Sequence, residues 1–157
     1  MIVGVLAIAL ALSSCAGLQL KKPGAPELAA LAESVGETII VFLPVKYQPE
    51  LIEWKPILQT MKADIEAGSL PEGKPLTIAW ARAQFGGMIA NALERVLALP
   101  GEEQLTPVQK QVLRNDFNRS LGLIQFEGED QELTADQVTI LFGAVNGVLQ
   151  GMALIGI

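Results

Sequence analysis

The residue types able to do chemistry are few in this chain. There is one cysteine, Cys15, and no histidine at all. The absence of histidine removes the usual general base, the commonest metal ligand and the Ser-His-Asp triad together. Neither G-x-S-x-G nor S-x-x-K occurs, so the common serine nucleophile settings are missing too. The lone thiol has no second cysteine with which to form an internal disulfide. What distinguishes Cys15 is its setting, because an unbroken apolar run, Ile2 to Leu12, leads into Leu12-Ser13-Ser14-Cys15. An aliphatic residue and two small ones leave the backbone before the thiol open to a peptidase. No catalytic residue, metal site or cofactor is expected elsewhere.

This arrangement resembles the signal peptide and lipobox of bacterial lipoproteins. The resemblance implies recognition of Leu12, Ser13 and Ser14 by the signal peptidase and lipid attachment at Cys15. Eleven apolar residues suit the hydrophobic region of such a peptide, whereas a membrane span needs about twenty. The segment departs from the pattern at its start. Only Met1 precedes the apolar run, and signal peptides normally begin with a basic region; a true start upstream of Met1 would account for this. The competing reading is a transmembrane anchor. Ile2 to Leu20 gives 19 uncharged residues before Lys21-Lys22, with the lysine pair on the cytoplasmic side. For a lipoprotein, Ala16 is the residue after the cysteine. By resemblance to enterobacterial lipoproteins, where Asp at that place favours inner-membrane retention, this implies the periplasmic face of the outer membrane, with the inner membrane as the alternative.

Removing residues 1–14 leaves 143, enough for one domain with a real core. Residues 15–26, with lysines, two prolines and Gly24, read as a lipidated tether, and 27–157 as the folded domain. A net charge of −6 argues against a nucleic-acid partner, which requires a basic face. Half of the residues are hydrophobic but only 5% are aromatic. That balance of Ala, Leu, Ile and Val suits packed helices.

The elements that hold these residues follow from periodicity and punctuation. Leu28, Leu31, Val35, Ile39 and Phe42 recur at helical steps and stop before Pro44. Thr38 to Val45 is rich in β-branched residues, which leaves a short strand as the alternative. Leu51, Trp54, Leu58, Met61 and Ile65 form a second stripe across Pro56, ending near Gly68; a kinked helix, or a first turn followed by the helix proper, fits. After a loop at 69–75, a long helical segment runs from Thr77 to Leu99 with Gly86-Gly87 in its middle. Adjacent glycines each cost roughly 1 kcal/mol in a helix interior, so they mark close packing, a kink or a local break. Close packing is the reading adopted.

Two helix starts are written most plainly. Leu105-Thr106-Pro107-Val108-Gln109 and Leu133-Thr134-Ala135-Asp136-Gln137 both have the form of a capping box. At the same offset of 28, Val112-Leu113, Asn118 and Leu121 match Ile140-Leu141, Asn146 and Leu149, a possible duplicated helix. Between them Glu127, Glu129, Asp130, Glu132 and Asp136 form an acidic inter-helix stretch, with no glycine where an EF-hand loop needs its turn. Val138 to Ile157 then carries no charge over 20 residues, about 30 Å as a helix. Gly143, Gly147 and Gly151 make a flat ridge along it, and such a ridge admits close approach of another backbone. A neighbour in the same bundle is the preferred occupant. Insertion in a membrane and self-association with a second copy are the alternatives.

One further resemblance concerns an enzyme. Glu33-Ser34 and Gly122-Leu123-Ile124-Gln125-Phe126 look like the Glu-Ser and Gly-Leu-Met-Gln motifs of lytic transglycosylases. In that family the two motifs lie close together on one cleft, whereas here about 88 residues separate them. The catalytic role is therefore not carried over, and Glu33 is expected on the solvent side of its helix. The sequence thus predicts an all-α irregular bundle of about five helices. It is expected to be anchored to the membrane through Cys15 and to act without catalysis as a structural, adaptor or accessory subunit with a protein partner in the envelope. A carrier of a small apolar ligand or lipid, and a membrane-active protein using the C-terminal helix, are the alternatives.

Overall fold

The first described helix already departs slightly from the expected boundary: α1 spans Ala25–Phe42, so Pro26 belongs to its first turn and not to the tether. Proline is tolerated there because the first N–H groups of a helix have no partner to lose. The computed structural model describes residues 22–99, 105–122 and 131–157. The apolar stripe of α1 buries Ala32, Val35, Gly36, Ile39 and Ile40, and the alternative of a strand at its end is excluded by helix through Phe42. A 3₁₀ turn, Val45–Tyr47, leads into α2, Gln48–Ala67, and the chain bends by 104° between the two helices. α2 continues through Pro56 and ends at Gly68, whose φ of 72° is the left-handed conformation glycine adopts without a Cβ penalty.

The third helix, α3, is built in three parts: an α turn Ile78–Ala81, a π-helical turn Arg82–Gly86, and the α segment Gly87–Leu97. The Thr77 hydroxyl opens it by accepting the Trp80 N–H at 3.2 Å. The glycine pair therefore coincides with a local break in α-helical geometry. Close packing does not explain Gly87, since a Cβ there would meet nothing within 4 Å. Pro107–Leu121 forms α4 and Ala135–Leu154 forms α5. Both capping boxes are complete. The hydroxyls of Thr106 and Thr134 accept from the backbone N–H of Gln109 and Gln137, whose side chains accept in turn from the threonine N–H groups. The offset of 28 holds for the caps and for buried Leu113 and Leu141, but Leu121 is buried where Leu149 is only partly so.

Among the described residues the fold is thus all-α: five helices and no strand, apart from one isolated antiparallel bridge, Thr77 to Glu132. Ile78 N–H donates to the Gln131 carbonyl at 3.0 Å and Leu133 N–H to the Leu76 carbonyl at 2.8 Å. This clip fixes the start of α3 beside the start of α5. The core sits around α1 and α5, with α3 and α4 packed on α1 and α2 packed on α5. Phe85, Ile39, Ile40, Leu51, Leu58, Met61, Leu121, Leu141 and Met152 are its largest fully buried side chains.

Candidate functional site

The most heavily constrained region is the junction of α1 and α5. Gly143, Gly147 and Gly151 face α1 in the same chain and not a second copy or open surface. A Cβ on Gly143 would fall on the Ala29 carbonyl, and one on Gly147 on the Glu33 carbonyl. On Gly151 it would come within 2.8 Å of the Ile40 Cβ and 3.0 Å of the Glu37 carbonyl oxygen. The fit is reciprocal, because a Cβ on Gly36 would lie 2.8 Å from the Ala144 carbonyl oxygen and 3.1 Å from the Val148 nitrogen. The pairs Ala29–Gly143, Glu33–Gly147 and Glu37–Gly151 share one separation, 114 residues, and both helices advance in the same direction. α1 and α5 are therefore parallel, and at Gly143 and Gly147 backbone meets backbone without side chains between them.

Along the open edge of this seam lies a polar chain. Asn146 donates to Glu33 Oε1 at 3.0 Å, and Gln150 donates to the same oxygen at 2.6 Å. The Lys62 ammonium on α2 donates to Asn146 Oδ1 at 3.0 Å and lies 5.5 Å from the centre of the Phe142 ring. Glu33 is thus half-buried and engaged, which corrects the expectation of a solvated side chain. The reason is that the α5 face carrying Asn146 and Gln150 is brought beside α1 by the glycines, and two amide donors need an acceptor there. The sequence gives Asn146 and Gln150 no visible partner, and it does not single out Lys62.

A second polar group pins α2 to α3. Arg95 Nη1 donates to Glu50 Oε2 at 2.7 Å while its guanidinium lies 4.1 Å from the centre of the Tyr47 ring. On α4, burial pushes the Asp116 carboxyl above the ordinary carboxylate range, partly offset by Arg119. Ser120, fully buried beside it, donates its hydroxyl to the Asp116 carbonyl at 2.7 Å. Arg82, in the π turn, buries Nε and Nη2 with no hydrogen-bond partner among the described residues. No cluster of three or more metal-ligating side chains occurs among the described residues.

The remaining sequence-predicted residues divide simply. Leu12, Ser13, Ser14 and Cys15 lie outside the described residues, as do Leu123 to Phe126 and the acidic Glu127, Glu129 and Asp130. Glu132 and Asp136 are exposed. α5 is the one helix among the described residues long and apolar enough to cross a membrane, and half of that stretch is buried in the bundle. Between α2 and α5 an open cleft of about 310 Å³ remains, with lysines on one wall and aliphatic side chains on the other. Comparison with protein-family models, with curated proteins and with solved structures finds no match for this chain.

Proposed function

We propose that this chain is a lipid-anchored protein of the bacterial envelope, acting without catalysis as a structural, adaptor or accessory subunit. The observation that carries this reading is Leu12-Ser13-Ser14-Cys15 at the end of an apolar run, with α1 beginning only at Ala25. Cleavage before Cys15 leaves a short link to the domain. Residues 16–24 reach about 30 Å when fully extended, so the bundle is held close to the bilayer that takes the lipid. Ala16 after the cysteine supports the periplasmic face of the outer membrane, with the inner membrane as the alternative.

The bundle itself supports an adaptor over a membrane-active protein. The glycine ridge of α5 is filled by α1, so the helix with the strongest membrane-like composition already has its partner. Exposed apolar side chains, among them Val45, Ile52, Val108 and Leu154, supply surface for a protein neighbour. Intact-mass measurement of protein from native membranes tests the anchor. The expected species begins at a lipidated Cys15, and Cys15→Ser abolishes lipid labelling. An unmodified Cys15 with residues 1–14 still attached overturns it. Photo-crosslinkers at Val45 and Val108 in the anchored protein test the adaptor role, with discrete protein adducts as the expected result.

A further inference from the structure

The geometry points to a binding site for one fatty carboxylate in the cleft between α2 and α5. Ile52, Lys55, Gln59, Lys62 and Glu66 follow one another on α2 at steps of 3, 4, 3 and 4, so they share one face of the helix. That face borders the cleft from Lys55 onward, and the opposite wall is Leu149, Ala153 and Ile157 of α5 and the residues after it. In a closed helix pair such a strip would be aliphatic and would interdigitate with its partner. Here it is polar and flanks the face on which α2 packs against α5, and a volume of about 310 Å³ stays open beside that contact. That is the lower end of the range of small-molecule sites, room for one chain and not two.

The two walls differ in chemistry in the way an amphiphile requires. The aliphatic wall offers a continuous apolar track along one side of α5. The other offers two ammonium groups and, one turn beyond Lys62, a single carboxylate at Glu66. The local excess is one positive charge, which suits a monoanion. Lys62 is held in place by the Asn146 side chain and the Phe142 ring, so its ammonium is positioned before any ligand arrives. Ile52 is 60% exposed and lies on the same face of α2 as Lys55, extending apolar surface past the end of the cleft. The carboxylate accepts from Lys55 and Lys62, and the hydrocarbon lies along Leu149, Ala153 and Ile157. This site lies wholly within the described bundle and does not depend on lipidation of Cys15. It also differs from the enclosed cavity that a carrier bundle would use, because the ligand is held at the surface.

Photoactivatable palmitate carrying a diazirine, applied to native membranes containing the full chain, tests the site. Adducts are expected on the peptides of α2 and α5 that line the cleft. Lys55→Gln, at a position with no hydrogen bond to another element among the described residues, is expected to lower that labelling about tenfold, the effect of losing one charge-assisted contact. Ala153→Trp, at an exposed position, fills the cleft and abolishes it. Thermal melting of both variants is expected to match the parent, which separates loss of binding from loss of fold. Labelling spread evenly over the chain or confined to residues 1–14 overturns the proposal. So does labelling by a neutral diazirine alcohol of equal length that matches palmitate in the cleft.

Discussion

At the scale of single residues, burial decides which charges matter. Asp116 is the clearest case, since desolvation raises its folded pKa above the ordinary 3.8 and Arg119 offsets this only in part. The folded protein therefore binds this proton more readily than the unfolded chain does. Between the unfolded and folded pKa values, stability falls as pH rises, and above the folded pKa the ionised carboxylate is a net cost. Asp116→Asn removes the ionisation while keeping the shape. It is expected to raise the melting temperature slightly at pH 7 and to leave it unchanged below the unfolded pKa, near pH 3. Thermal melts of both proteins at the two pH values check the sign. Glu33 teaches a different lesson. The residues that fix it, Asn146 and Gln150, lie 113 and 117 positions away, and no local pattern announces a pair so distant.

Elements were legible in the sequence wherever their determinants are local. The capping boxes at Thr106 and Thr134 need only four consecutive residues, and both formed as written. Thr134→Ala is expected to cost about 1 kcal/mol, the usual loss at such a position. A substitution in the segment before α1 is expected to cost much less, and thermal melting compares the two. The stop of α1 before Pro44 and of α2 at Gly68 belong to the same local class. The π turn at Arg82–Gly86 was not legible. Gly86-Gly87 signals a weakness in helix propensity, but which defect results depends on how α3 sits on its neighbours. The cleft between α2 and α5 divides in the same way: its lysines and its aliphatic residues stand at helical spacing in the sequence, while their facing one another is a tertiary fact.

At the scale of the whole molecule, two glycines of similar local setting should respond oppositely to the same change. Both occupy helices, and alanine gains roughly 1 kcal/mol over glycine there when space allows. Gly87 has that space, so Gly87→Ala is expected to stabilise the fold by up to about 1 kcal/mol. Gly147 faces the Glu33 backbone, which cannot move aside as a side chain can. Gly147→Ala is expected to destabilise by about 1–3 kcal/mol, the cost of overpacking. Denaturant titration of the two variants settles the contrast. Equal shifts of the same sign would mean that the seam between α1 and α5 is looser than drawn. The ridge itself was readable as three glycines at steps of four. Its occupant was not, since Ala29, Gly36 and the α1 backbone carry no mark of being its complement.

The parallel seating of α1 against α5 also sets an order of events during synthesis. A chain emerging amino end first presents the apolar face of α1, with Val35, Ile39 and Ile40, long before the segment that covers it has been delivered. Every intervening helix must be made while that face stays wet, and contacts so far apart in sequence close late. The waiting interval is one in which α1 is open to holdase chaperones, to proteases and to wrong partners. For this protein the hazard of biogenesis is concentrated in α1 and ends when α5 is made.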